Sequence, residues 1–265
     1  MDIATGKSEW HEQETSAFHV RWDLAGDTLF ANIGAKICRW NPATGVLRVI
    51  GEIGAMPANG LDLSPGGEAI AATERGKNPY LWRLESGAAP SRLPLPDSFG
   101  LGPGYAIRYS PRGDLIATGT LTTLFLCDAQ TGEVRHSFEV GHVTDLAWHP
   151  GGNRIAVTAD AVITILTETP AGWQSGWLAG HTEAVTALDW SPDGCRLASG
   201  SGDQTARIWD VESQHCTLVL AAHSAYLHCV RWSPDGQILA TAGADGNVHL
   251  WDARKGFARK EAPLP

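Results

Sequence analysis

The chain has 265 residues, 43% hydrophobic and 18% charged, which suits a buried core and excludes a disordered segment. A net charge of −9 with no run of Lys or Arg argues against sequence-independent binding to nucleic acid or to an anionic membrane. Five cysteines without a CxxC pair point to neither a disulfide framework nor a zinc site, and no apolar run suggests a signal peptide or a membrane span, so a cytoplasmic protein is expected.

In chain order, residues 1–7 read as a turn corner and Ser8–Glu12 as a strand. Residues 17–41 (AFHVRWDLAGDTLFANIGAKICRWN) then alternate apolar and polar side chains in three short runs divided by turn residues. The pattern returns at 58–83 (ANGLDLSPGGEAIAATERGKNPYLWR), at 104–128 (GYAIRYSPRGDLIATGTLTTLFLCD) and at 142–167 (HVTDLAWHPGGNRIAVTADAVITILT). Its most regular forms are 180–210 (GHTEAVTALDWSPDGCRLASGSGDQTARIWD) and 222–252 (AHSAYLHCVRWSPDGQILATAGADGNVHLWD). In the last two, Pro192 and its counterpart Pro234 preset φ for a turn, and the Gly two residues on opens the backbone after it. The residue before each first turn is Trp22, Leu63, Tyr109, Trp148, Trp190 and Trp232, at intervals of 41, 46, 39, 42 and 42. Further strands are expected at Val46–Ile50, Ser91–Leu95, Glu133–Phe138, Trp173–Leu178 and Cys216–Leu220.

A unit of about 40–45 residues with a Gly-His start and a Trp-Asp end resembles the Trp-Asp (WD) repeat. The resemblance covers nearly the whole chain and implies an all-β WD-repeat β-propeller. Six blades of four antiparallel strands are expected, with seven blades or an open ring as alternatives. The expected layout is one domain over residues 1–265. Residues 1–12 would close the last blade, residues 13–252 form six repeats, and residues 253–265 leave as a displaced tail. The alternative outer strand for that blade is Phe257–Glu261.

Ser199, His181 and Asp203 are the residue types of a hydrolase triad, and Thr241, His223 and Asp245 repeat them. The WD resemblance implies instead a structural relay in each unit: His181, Ser199, Asp203 and Trp209, then His223, Thr241, Asp245 and Trp251. A nucleophile needs access to substrate, whereas a hydroxyl on a middle strand is buried. No catalytic residue, metal site or cofactor is therefore expected. Cys127 and Leu166 replace the relay Trp in the third and fourth repeats, and no full tetrad can be written for any of the first four, so the N-terminal blades are expected to be the looser ones. Arg21, Arg108 and Arg231, with Asp62 and Asp189, directly precede an anchor, Asp145 stands three residues before one, and the six read as a ring of ion pairs between blades.

The resemblance also implies that loops entering the first strands gather at one mouth of the ring. The candidate partner-binding residues there are Phe18, Arg75, Tyr105, His142, Thr186, Tyr226 and His228, joined by Gly- and Pro-rich insertions at 51–60 and 96–105. The expected function is a non-enzymatic scaffold for a protein or peptide partner, with no nucleic acid or membrane. The alternative is a propeller subunit or ligand-binding part of a larger complex whose catalysis lies on another chain.

Overall fold

The computed structural model describes residues 17–23, 26–33, 35–52, 58–74, 77–84, 89–96 and 106–260. The chain folds from one repeated turn. In the fifth repeat the Gly194 N–H donates to the Ser191 carbonyl at 2.8 Å, with Gly194 at φ 73°, a conformation that glycine alone adopts freely. Ser191 Oγ accepts the Arg196 N–H at 2.9 Å and Asp193 accepts that of Cys195 at 2.9 Å, so the Ser-Pro-Asp-Gly side chains close the turn themselves. The same Gly-to-carbonyl bond recurs at Gly26, Gly67, Gly113, Gly152 and Gly236. Each turn makes the flanking runs antiparallel partners.

The products are six four-stranded sheets, each ordered as in sequence from its first, inner strand to its fourth, outer strand. The fifth blade is typical, with strands Val185–Trp190, Leu197–Ser201, Thr205–Asp210 and His215–Ala221. First strands of successive blades contact one another from the first blade to the sixth. Among the described residues the buried side chains form five apolar clusters, each made by two neighbouring blades. Alternation puts one set of side chains on each face of a blade, and radial stacking buries both. Arg21 of the first blade and Arg231 of the sixth line one cavity of about 300 Å³ with Arg108, Leu146 and Asp189, so the first strands surround a common axis.

The outer strands lie close to the expected spans, with one truncation. In the second blade only Ser91–Arg92 pairs, because Pro94 has no N–H for the ladder. Leu93 and Leu95 are nevertheless buried, and Asn78 Nδ2 donates to both their carbonyls at 3.1 and 3.0 Å.

The C-terminal tail is a correction. It is not displaced: Ala258–Lys260 pairs antiparallel with Val248–Asp252 as the fourth strand of the sixth blade. Asp252 accepts the Arg254 N–H at 3.1 Å, and Gly256 and Phe257, at φ 62° and 63°, reverse the chain. Phe257 then packs edge-on against Trp232 at 5.7 Å, and the Arg196 guanidinium lies over both rings. Ser8–Glu12, expected in that place, lies outside the described residues.

The third and fourth repeats also differ from expectation. Cys127 and Leu166 are 0% and 2% exposed and belong to continuous apolar clusters. An apolar side chain at the relay position needs no polar partner, so it packs instead of bonding.

Candidate functional site

The relay residues meet as two closed hydrogen-bond sets. In the fifth blade Trp209 Nε1 donates to Ser199 Oγ at 2.8 Å, Ser199 Oγ lies 2.7 Å from His181 Nε2, and His181 Nδ1 lies 2.7 Å from Asp203. Trp251 Nε1 reaches Thr241 Oγ1 at 3.1 Å in the sixth, Thr241 Oγ1 lies 2.9 Å from His223 Nε2, and His223 Nδ1 lies 3.0 Å from Asp245. A neutral imidazole fits this order, taking the hydroxyl proton at Nε2 and donating from Nδ1 to the carboxylate. Burial lowers the His181 pKa and favours that form. Burial alone would raise the Asp203 pKa, but hydrogen bonds from Thr205 and His181 bring it down to about 2. Ser199 is 0% exposed and its oxygen is shared between two ring N–H or ring N partners. A substrate cannot reach it without unfolding the blade.

His249 adds a neighbour in the sixth blade, and the ligand-type atoms of His223, Asp245 and His249 lie within 4.8 Å of one another. Both ring nitrogens of His223 are engaged in the relay. A metal ion there would have to break that relay.

The six charges before the anchors form a belt of bonds between blades. Arg21 Nε meets Asp62 at 2.9 Å and Arg108 meets Asp145 at 3.1 Å. The same carboxylates hold the backbone of the following blade: Asp62 accepts the Tyr109 N–H at 2.8 Å and Asp145 that of Leu188 at 3.1 Å. Asp189 repeats the move on Trp232 N at 2.7 Å. Arg231 donates to the Leu188 carbonyl at 2.9 Å, and its guanidinium lies 3.9 Å from Asp145. Burial and then the nearby Arg21 charge lower the Arg108 pKa to about 10, while burial raises Asp189 to about 6. Sequence spacing places five of the six charges at one repeat position, Asp145 being the exception; that each carboxylate also grips a backbone N–H of the next blade had no sequence signal.

Of the candidate mouth residues, Arg75, Tyr105 and the side chain of Phe18 lie outside the described residues. The insertions lie largely outside them as well. Thr186 sits in a β-bulge of the first strand, and its hydroxyl donates to the Leu227 carbonyl of the sixth blade. Thr144, at the same repeat position, bonds Val185 of the fifth blade at 2.9 Å. His142 is half-buried. Tyr226 and His228 remain open to solvent, their rings edge-on at 4.6 Å, with Tyr226 49% exposed. The Tyr226 carbonyl is held by Ala244 N at 2.9 Å, as Ala184 is held by Gly202 N in the fifth blade, so a rigid backbone presents the ring.

Stacked, sequentially ordered four-stranded sheets about one axis, with a repeated His–Ser/Thr–Trp bond set, define a β-propeller built from tandem repeats. The family model of the WD domain, G-beta repeat, matches residues 132–165, 173–210 and 214–252. The chain is thus a six-bladed β-propeller that carries WD repeats at those three positions. Each match begins at or near one blade's outer strand and runs through the inner strands of the next, so a sequence repeat straddles two blades. No curated protein matches the chain. Among the described residues no helix is long and apolar enough to cross a membrane.

Proposed function

We propose that the chain is a non-enzymatic scaffold that docks a protein or peptide partner on the mouth around Tyr226 and His228. The observation that carries this reading is the exposed Tyr226–His228 ring pair on a blade whose other polar groups are largely bonded internally. An aromatic on a fixed backbone offers a large contact area at little conformational cost. WD propellers generally mediate protein–protein interaction, and the burial of Ser199 supports a non-catalytic role. Affinity capture from the native host, read by mass spectrometry, tests the reading. A partner enriched by the wild type should fall at least about tenfold with a Tyr226→Ala, His228→Ala variant, as for loss of an interface anchor. Identical partner lists would move the interface away from this mouth.

A further inference from the structure

The five internal blade contacts share a plan, and the two ends of the array break it. Two residues before each anchor stand Leu61, Ile107, Leu146, Leu188 and Val230, all 0–1% exposed, and Val20, which is 48% exposed. The anchors Tyr109, Trp148, Trp190 and Trp232 are 5–9% exposed, whereas Trp22 is 48% exposed. On the opposite face the third strands place Ile37, Leu124, Ile163 and Ala206 at one position, all 0–1% exposed, and Val248, which is 65% exposed. In the second to sixth blades the Val20 position faces the preceding blade, and in the first, third, fourth and fifth the Val248 position faces the following one. The exposed residues therefore belong to one seam, between the sixth blade and the first. Leu47 and Val49, exposed on the outer strand of the first blade, extend the same flank. Arg21 and Arg231 reach one cavity, so the two flanks border a single slot.

We infer that this slot receives one further four-stranded antiparallel sheet, carried by another polypeptide. The occupant is specified by the contacts already present. Towards Val20 and Trp22 it must present small and β-branched residues, as Ala187, Ala198, Ala206 and Ile208 present to Val230 and Trp232. Towards Ala240, Val248 and Leu250 it must present a large apolar pair, as Leu188 and Trp190 present to Ile163 and Ile165. One inserted sheet covers both flanks in a single event. A second copy of this chain would cover one flank of each molecule and leave the other two open, a head-to-tail contact that does not close. His228 stands on the same flank of the sixth blade as Val248, so the Tyr226 mouth adjoins this slot; Trp22, on the flank of the first blade, distinguishes the two readings, because Trp22→Glu alters the slot and leaves the Tyr226–His228 pair intact.

The fifth blade carries both required faces, so residues 180–222, displayed on a soluble carrier and co-expressed with the full chain, are the probe. Size exclusion with light scattering should give a 1:1 complex. Trp22→Glu and Val248→Glu should each weaken it at least about tenfold, as for an apolar anchor. Both side chains are exposed, so the free variants should melt within about 2 °C of wild type, whereas Trp232→Glu, at the buried equivalent of Trp22, should melt far lower. Four results would overturn the inference. The displayed blade could give no complex, or the complex could survive both substitutions. Trp22→Glu could destabilise the free chain as Trp232→Glu does, which would mean the flanks pack on each other. Last, the chain alone could form concentration-dependent oligomers that Trp22→Glu dissolves, which would make a second copy the occupant.

Discussion

Asp203 holds four bonds at once: its carboxylate takes His181, the Thr182 N–H and both the N–H and hydroxyl of Thr205. Asp203→Ala leaves those donors without an acceptor in a largely buried pocket and should cost about 1–3 kcal/mol, read as a lower urea midpoint. Its titration adds a pH signature. The folded carboxyl, at about 2 against an ordinary 3.8, is more acidic than in the unfolded chain, so unfolding takes up a proton between those values. Its contribution to stability is whole above about pH 4 and is lost as pH falls towards 2. Asp189 behaves in the opposite sense. Burial raises its pKa from 3.8 to about 6, so the fold holds a proton that the unfolded chain has released. That contribution is whole below about pH 4 and is lost as pH rises through 6. Asp189→Asn keeps an oxygen for the Trp232 N–H and should be more stable than wild type by about 1–3 kcal/mol at pH 8. The difference should vanish near pH 4 in paired urea melts.

At the scale of the blade, stability depends on how closely neighbouring sheets approach. A Cβ built on Gly119 would lie 2.4 Å from Val143 Cβ, so the second strand of the third blade packs backbone-first against the segment entering the fourth. Gly119→Ala should therefore cost about 1–3 kcal/mol through overpacking, measured as a lower thermal midpoint with an unchanged far-ultraviolet spectrum. The element-level pattern was largely legible beforehand, because turn chemistry and alternation are local. The Ser-Pro-Asp-Gly turns and most strand spans followed from residues within one repeat, whereas the relay was implied by the resemblance to the WD repeat. The use of Thr186 was not legible. Its sequence position matches that of His228, yet one hydroxyl bonds the next blade and the other side chain faces solvent. What differs is whether a following blade is packed there to receive the bond. The tail of the last blade was misread for a similar reason: Phe257 finds its place only against Trp232, 25 residues earlier in sequence.

Across the whole molecule, equivalent residues have unequal worth. Leu188 and Val20 occupy the same repeat position, the first at 1% exposure and the second at 48%. Leu188→Ala should cost about 2–5 kcal/mol, and Val20→Ala should stay within about 0.5 kcal/mol in the isolated chain. A thermal scan of the two variants side by side measures the asymmetry of the ring directly.

By itself the sequence determined the repeat, its all-β class and the number of inner meanders. All of these are set by short-range periodicity, turn residues and side-chain types. Only the tertiary structure decided which outer strand completes the sixth blade, which carboxylates grip which neighbouring backbone, and that among the described residues the apolar flanks of the first and sixth blades stay exposed. Those outcomes depend on how six sheets share the angle around one axis. A repeat encodes the shape of its own two faces, but whether a face is covered depends on its neighbour.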